Sequence, residues 1–169
     1  MIKVILLLSL GVFNSYALEV SPIKLNPVFI GEEKQTEEPR THYFTEKESK
    51  QFIITISPRG RLLTANGEPL NTGGLRNDMG KYVVDLNGVI YASRLDTPVI
   101  YDNSSYLAGK DVLCAGSWQV GDGEIQMIND RSYKYPSESD ANLKWFVKTL
   151  KEKNVSFEDV IIIHDPSKM

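Results

Sequence analysis

Two polar segments hold most of the side chains able to do chemistry. The first is Asp102-Asn103-Ser104-Ser105-Tyr106-Leu107-Ala108-Gly109-Lys110, which follows the strand-like Val99-Ile100-Tyr101. Its hydroxyls, its amide and its glycine could hold an anion or a sugar, with backbone N–H groups assisting. The plainer reading is a polar turn whose serines satisfy local backbone groups. The second is Asn129-Asp130-Arg131-Ser132-Tyr133-Lys134-Tyr135-Pro136. It combines cations with aromatic rings and leads toward a helix N-terminus, a natural place for an anion. Its plainer reading is a strand-to-helix connection with tyrosines as lids. The ligand-binding candidates are therefore Asn103, Ser104, Ser105, Arg131, Ser132, Tyr133, Lys134 and Tyr135. If the two segments share one cleft, Ser105 and Lys134 should be partly exposed there.

The other reactive side chains are isolated. Cys114 sits in the apolar run Val112-Leu113-Cys114-Ala115, where a structural thiol is expected, since a nucleophilic cysteine needs a base and access. His164 follows an apolar strand and precedes Asp165; strand ends host catalytic groups, but a lone histidine there also serves simply as a cap. His42 lies in a charged stretch with no evident role. No Gly-x-Ser-x-Gly elbow, phosphate loop or His-Glu-x-x-His is present. One cysteine and two histidines leave little for a metal site. No cofactor is implied by any motif. The net charge of −3, from 19 Lys+Arg and 22 Asp+Glu, argues against a nucleic-acid partner.

Around these residues the sequence predicts an α+β domain over 51–165, a bent antiparallel sheet of hairpins with one substantial C-terminal helix packed on it. Phe52-Ile53-Ile54-Thr55-Ile56 is β-branched and bounded by the turn-forming Ser57-Pro58-Arg59-Gly60. Asn87-Gly88 predicts a type I′ hairpin between Lys81–Asp85 and Val89–Ala92. Asp122-Gly123 predicts a second hairpin, of unspecified turn type, with Trp118–Val120 facing Ile125–Ile128. Leu143, Phe146, Val147 and Leu150 recur at helical spacing. Ser137 and Asp140 have capping-box spacing ahead of them, and Asn154 is a plausible stop. Ser156 and Asp159 suggest a short helical turn before the strand Val160-Ile161-Ile162-Ile163. Residues 166–169 are a tail.

The N-terminus carries an address. Met1-Ile2-Lys3, the apolar run from Val4 to Val12, and Ser15-Tyr16-Ala17 have the order of a secretory signal peptide cleaved near Ala17. The run is too short for a bilayer span, so no stable membrane insertion is expected. The expected location is secreted or periplasmic. Residues 18–50 hold Pro22, Pro27 and Pro39 among alternating charges, which predicts a solvated tether. Val28-Phe29-Ile30 could dock as an edge strand. Removing 18–45 should then leave the melting temperature nearly unchanged.

Five blocks resemble the conserved domain of the plant IQ-motif-containing calmodulin-binding family, which is also seen in secreted bacterial and fungal proteins. They are Asn103-Ser104-Ser105-Tyr106-Leu107-Ala108-Gly109, Ala115-Gly116-Ser117, the turn Asp122-Gly123, Ser132-Tyr133-Lys134-Tyr135, and Lys153-Asn154-Val155. The resemblance spans about Phe52 to Ile162. The family's two histidines fall on Asn103 and Lys134 here, and its charged residue after Ala-Gly falls on Ser117. Acid–base work resting on those histidines would be lost in this chain. The IQ motif itself is absent: Ile54 to Gly60 copies only its Arg-Gly spacing, with Pro58 in a strand-like context. Calmodulin binding through such a motif is not expected.

Two function classes follow. The first is a secreted, bacterial, effector-like binding module acting on an unidentified protein or small anionic ligand. The second is a secreted enzyme or toxin, a nucleotide-dependent transferase using the Ser-rich loop and the aromatic-basic patch. The absent family histidines favour the first.

Overall fold

The computed structural model describes residues 20–34, 41–93 and 102–164. The expected signal peptide, the Val99–Tyr101 strand and the tail lie outside these residues. Seven strands form one sheet: β1 (Ile53–Ile56), β2 (Leu62–Leu63), β3 (Gly80–Val84), β4 (Ile90–Ala92), β5 (Cys114–Gly121), β6 (Glu124–Asn129) and β7 (Ile161–Ile163). Their order is β2-β1-β4-β3-β5-β6-β7. A short helix α1 (Glu46–Ser49) and a longer one, α2 (Ala141–Glu152), complete the α+β architecture.

The sheet is mixed, which corrects the all-antiparallel expectation. β7 runs parallel to β6, with Asn129 opposite Ile163. The chain must cross over through α2 to reach that edge, and a crossover returns a strand in parallel. The helix is 12 residues long, about three turns.

Asp122 and Gly123 both take positive φ, at 49° and 78°, as a type I′ turn demands. The other predicted turn differs. Asp85 and Val89 bond across a three-residue loop, and of that loop only Gly88 has positive φ. The Asp85 carboxylate accepts from the N–H groups of Asn87 and Val89 at 2.8 Å, which holds the longer loop. α2 starts without the expected capping box, because Ser137 Oγ donates to the Ser139 carbonyl instead. It stops as expected at Asn154, whose φ is 67°. The Asn154 N–H reaches the Lys151 carbonyl and the Val155 N–H reaches that of Leu150, a Schellman closure. After Ser156 the chain makes a turn rather than a helix.

Alternation along the central strands builds two apolar layers. Tyr82 and Val84 of β3, with Cys114 and Trp118 of β5, face Leu143, Phe146, Val147 and Leu150 of α2. Val83 and Ala115 face the other way, onto Tyr106, Tyr135, Ile23, Phe44 and Phe52. Ile23 forms a bridge with Val112, and Phe44 stacks on Phe52 at 4.6 Å. The expected free tether is therefore corrected over its described residues. Its Ile23 and Phe44, with Leu25 packed beside them, cover the second face of the sheet, and covering it offsets the entropy of ordering the arm. Val28-Phe29-Ile30 does not dock as a strand; Pro27–Phe29 is a 3₁₀ turn capped by Asn26. No helix among the described residues is long and apolar enough to cross a membrane.

Candidate functional site

The two polar segments do meet, and they meet below the surface. Asn103–Ser105 form a 3₁₀ turn capped by Asp102, whose carboxylate accepts from the Asn103 N–H. Ser105 Oγ in turn accepts from the Asp102 N–H at 2.9 Å. The Asn103 amide donates to the carbonyls of Tyr82 and Gly116, pinning the turn to β3 and β5. Ser132 Oγ donates to Asn103 Oδ1 at 3.2 Å, which joins the second segment to the first. Gly116 has to be glycine here, because a Cβ would lie 1.9 Å from the Asn129 carbonyl oxygen.

Of the eight predicted residues, Asn103, Ser104, Ser105, Ser132, Lys134 and Tyr135 are buried. Arg131 is exposed, and Tyr133 is 80% exposed. The expectation that Ser105 and Lys134 are partly exposed is corrected, since Ser105 is 0% and Lys134 6% exposed. The physical reason is Glu32, a residue of the arm that the sequence places in a solvated stretch.

Glu32 is 4% exposed, and its carboxylate is shared evenly. Oε1 accepts from Ser104 Oγ at 2.7 Å and from Tyr43 OH at 3.2 Å. Oε2 accepts from Thr41 Oγ1 at 3.1 Å and from the Lys134 ammonium. Each oxygen thus receives two donors, one of the four being a cation. The Phe29 ring lies over Lys134 Nζ, 3.8 Å away, in a cation–π contact. Burial, followed by the Glu32 charge, pushes the Tyr43 phenol well above its usual range, so it stays a donor. Gly109, at φ +74°, leaves the room Tyr43 OH needs. The carboxylate is held by side chains, not by the α2 N-terminus that the sequence suggested.

Two of the four donors have anchors other than Glu32. Tyr43 adjoins Phe44, which is in the core and bonds to Ser105 through its N–H. Ser104 belongs to the pinned turn. The segment that delivers Glu32 is built the other way round. Its apolar Val28 and Ile30 are 73% and 71% exposed, while its Glu32 is buried. That inverts the usual partition of side chains.

The chain matches no family model, no curated protein and no solved structure. The resemblance to the IQ-motif family therefore rests on its five sequence blocks.

A second polar pair lies on the opposite side of the sheet. His164 Nδ1 is 2.5 Å from Asp130 Oδ2. Both residues directly follow paired ends of the parallel strands β6 and β7, so the topology sets them side by side. The Asp130 side chain is 3% exposed and that of His164 28%. His164 stands out in the sequence, whereas its partner Asp130 becomes evident only through the parallel β6–β7 pairing. Cys114 is fully buried beside Tyr82 OH at 3.6 Å. Burial pushes its thiol up to about 12, so it is a structural residue, not a nucleophile. His42 sits near Glu48 at 4.0 Å, half exposed.

Proposed function

We propose that the protein is an exported binding module that recognises a carboxylate, with its own Glu32 occupying the receptor in the form described here. The observation that carries this reading is the donor set: Ser104, Tyr43, Thr41 and Lys134, two donors to each oxygen of one carboxylate. A buried ion pair adds little net stability over an apolar packing of similar volume. On the segment carrying Glu32, Val28 and Ile30 are exposed and Phe29 packs on Lys134, inside the receptor itself. These features suit an internal occupant that an acidic group of a partner can replace. The signal-peptide pattern in residues 1–17 supports action outside the cytoplasm.

Replacing Glu32 tests the proposal. Glu32→Ala vacates the receptor and leaves Lys134 buried without its counter-charge, at a cost of about 3–5 kcal/mol. Sodium acetate should raise the melting temperature of this variant in a saturable way, beyond sodium chloride at equal ionic strength. The response should appear at an acetate concentration at least tenfold lower than in the parent protein, where the tethered Glu32 competes at about millimolar effective concentration. Glu32→Gln provides a second folded background. The double variant Glu32→Ala/Lys134→Ala should show no acetate effect. An equal response to acetate and chloride in both Glu32 variants would refute the receptor.

A further inference from the structure

His164, held from behind by the buried Asp130, lines a groove that the carboxylate receptor does not use. The groove has a volume of about 720 Å³, within the range of small-molecule sites. Leu143 and Val147 of α2 and Ile162 of β7 supply its apolar surface. Lys144, Lys148 and Lys151 stand along the helix side. Two carboxylates, Asp140 and Glu152, also line it. Asp140 is engaged by Lys144 at 2.7 Å, and the Lys144 contact holds its carboxyl below the usual range. Cations outnumber carboxylates on the rim, and the imidazole stands among them.

We propose that this groove is a binding site for an anionic amphiphile, a medium-chain fatty acid, with His164 contacting its carboxyl head. Three observations converge on that ligand class. The apolar wall reaches β7 through Ile162, which is 47% exposed and lies on the groove side of the strand, joining Leu143 and Val147 of α2 in one continuous lining. The lysine rim complements a negative head while its methylene stems extend the apolar wall. The imidazole is held through Nδ1 by a buried carboxylate, which leaves Nε2, on the far side of the ring, as the nitrogen offered to the groove. A neutral ring can accept from a carboxylic acid there, and an imidazolium can donate to a carboxylate. A carboxyl head and Nε2 therefore share one hydrogen bond whenever the pair holds one proton, on the ring or on the acid. The site is separate from the Glu32 receptor and stands or falls independently of it.

Dodecanoate, kept below its micelle concentration, is the probe. Titrated into the full chain, it should bind with one-to-one stoichiometry by calorimetry and perturb the ring resonances of His164. His164→Ala should weaken binding at least tenfold, and Lys144→Glu/Lys148→Glu should weaken it as much. Dodecanol, with the same tail and no charge, should bind at least tenfold more weakly than dodecanoate. His164→Gln keeps a polar group of similar reach and provides a folded control if the alanine variant is unstable. Dodecanoate affinity unchanged in the histidine variants and in the lysine pair would overturn the proposal. So would equal affinity for dodecanol, or capture of an extended peptide along β7 with no uptake of dodecanoate.

Discussion

At Glu32 a single side chain decides what the surrounding residues are for. Lys134, Ser104, Tyr43 and Thr41 are unremarkable as sequence; around one carboxylate they become a receptor with two donors on each oxygen. The buried phenols follow the same logic in reverse. Burial is the first cause raising Tyr43, Tyr82 and Tyr135 above the usual phenol value of 10.0. A group raised in the folded state contributes stability that is complete below its unfolded value and is lost as pH climbs toward its folded one. Alkaline unfolding should therefore begin above pH of about 10. Absorbance at 295 nm should show these rings ionising together with the loss of far-ultraviolet dichroism. Full ionisation of the tyrosines near pH 10 in a still-folded protein would show that these rings are accessible.

The arm is the element on which sequence and structure part. Its composition is that of a linker, with three prolines and alternating charges. What composition does not reveal is that Ile23, Phe44 and Phe52 cover Val83 and Ala115 on the second face of the sheet. The β5–β6 hairpin was legible because Asp122 and Gly123 set their own backbone angles locally. The stripe on α2 was legible because it repeats within one helix. The pairing of Glu32 with Lys134 spans 102 residues, and no local pattern carries information over that separation. The two candidate segments touch through Ser132 and Asn103, but below the surface, and neither that depth nor the occupant is legible from local sequence. Deleting residues 20–45 should expose that second face. Losing Ile23 and Phe44 alone removes about 3–6 kcal/mol of apolar burial, which corresponds to a fall in melting temperature of more than about 10 °C. Differential scanning calorimetry checks this, and an unchanged midpoint would return the arm to the status of a linker.

Over the whole molecule, the central sheet separates two sites of different character. One side carries the arm and a sealed, fully hydrogen-bonded carboxylate receptor. The other carries α2 and an open groove with a histidine at the strand ends. The mixed sheet matters to both. Antiparallel β3 and β5 provide the carbonyls that pin Asn103, and parallel β6 and β7 bring Asp130 beside His164. The central claim is that an external carboxylate can take the place of Glu32. Nuclear Overhauser contacts between acetate and the Glu32→Ala protein test it most directly. The account predicts contacts from the acetate methyl group to the Lys134 ε-methylene, the Ser104 β-methylene and the Phe29 ring. Saturating acetate that gives no contact to these three residues, or contacts only elsewhere on the protein, would contradict it.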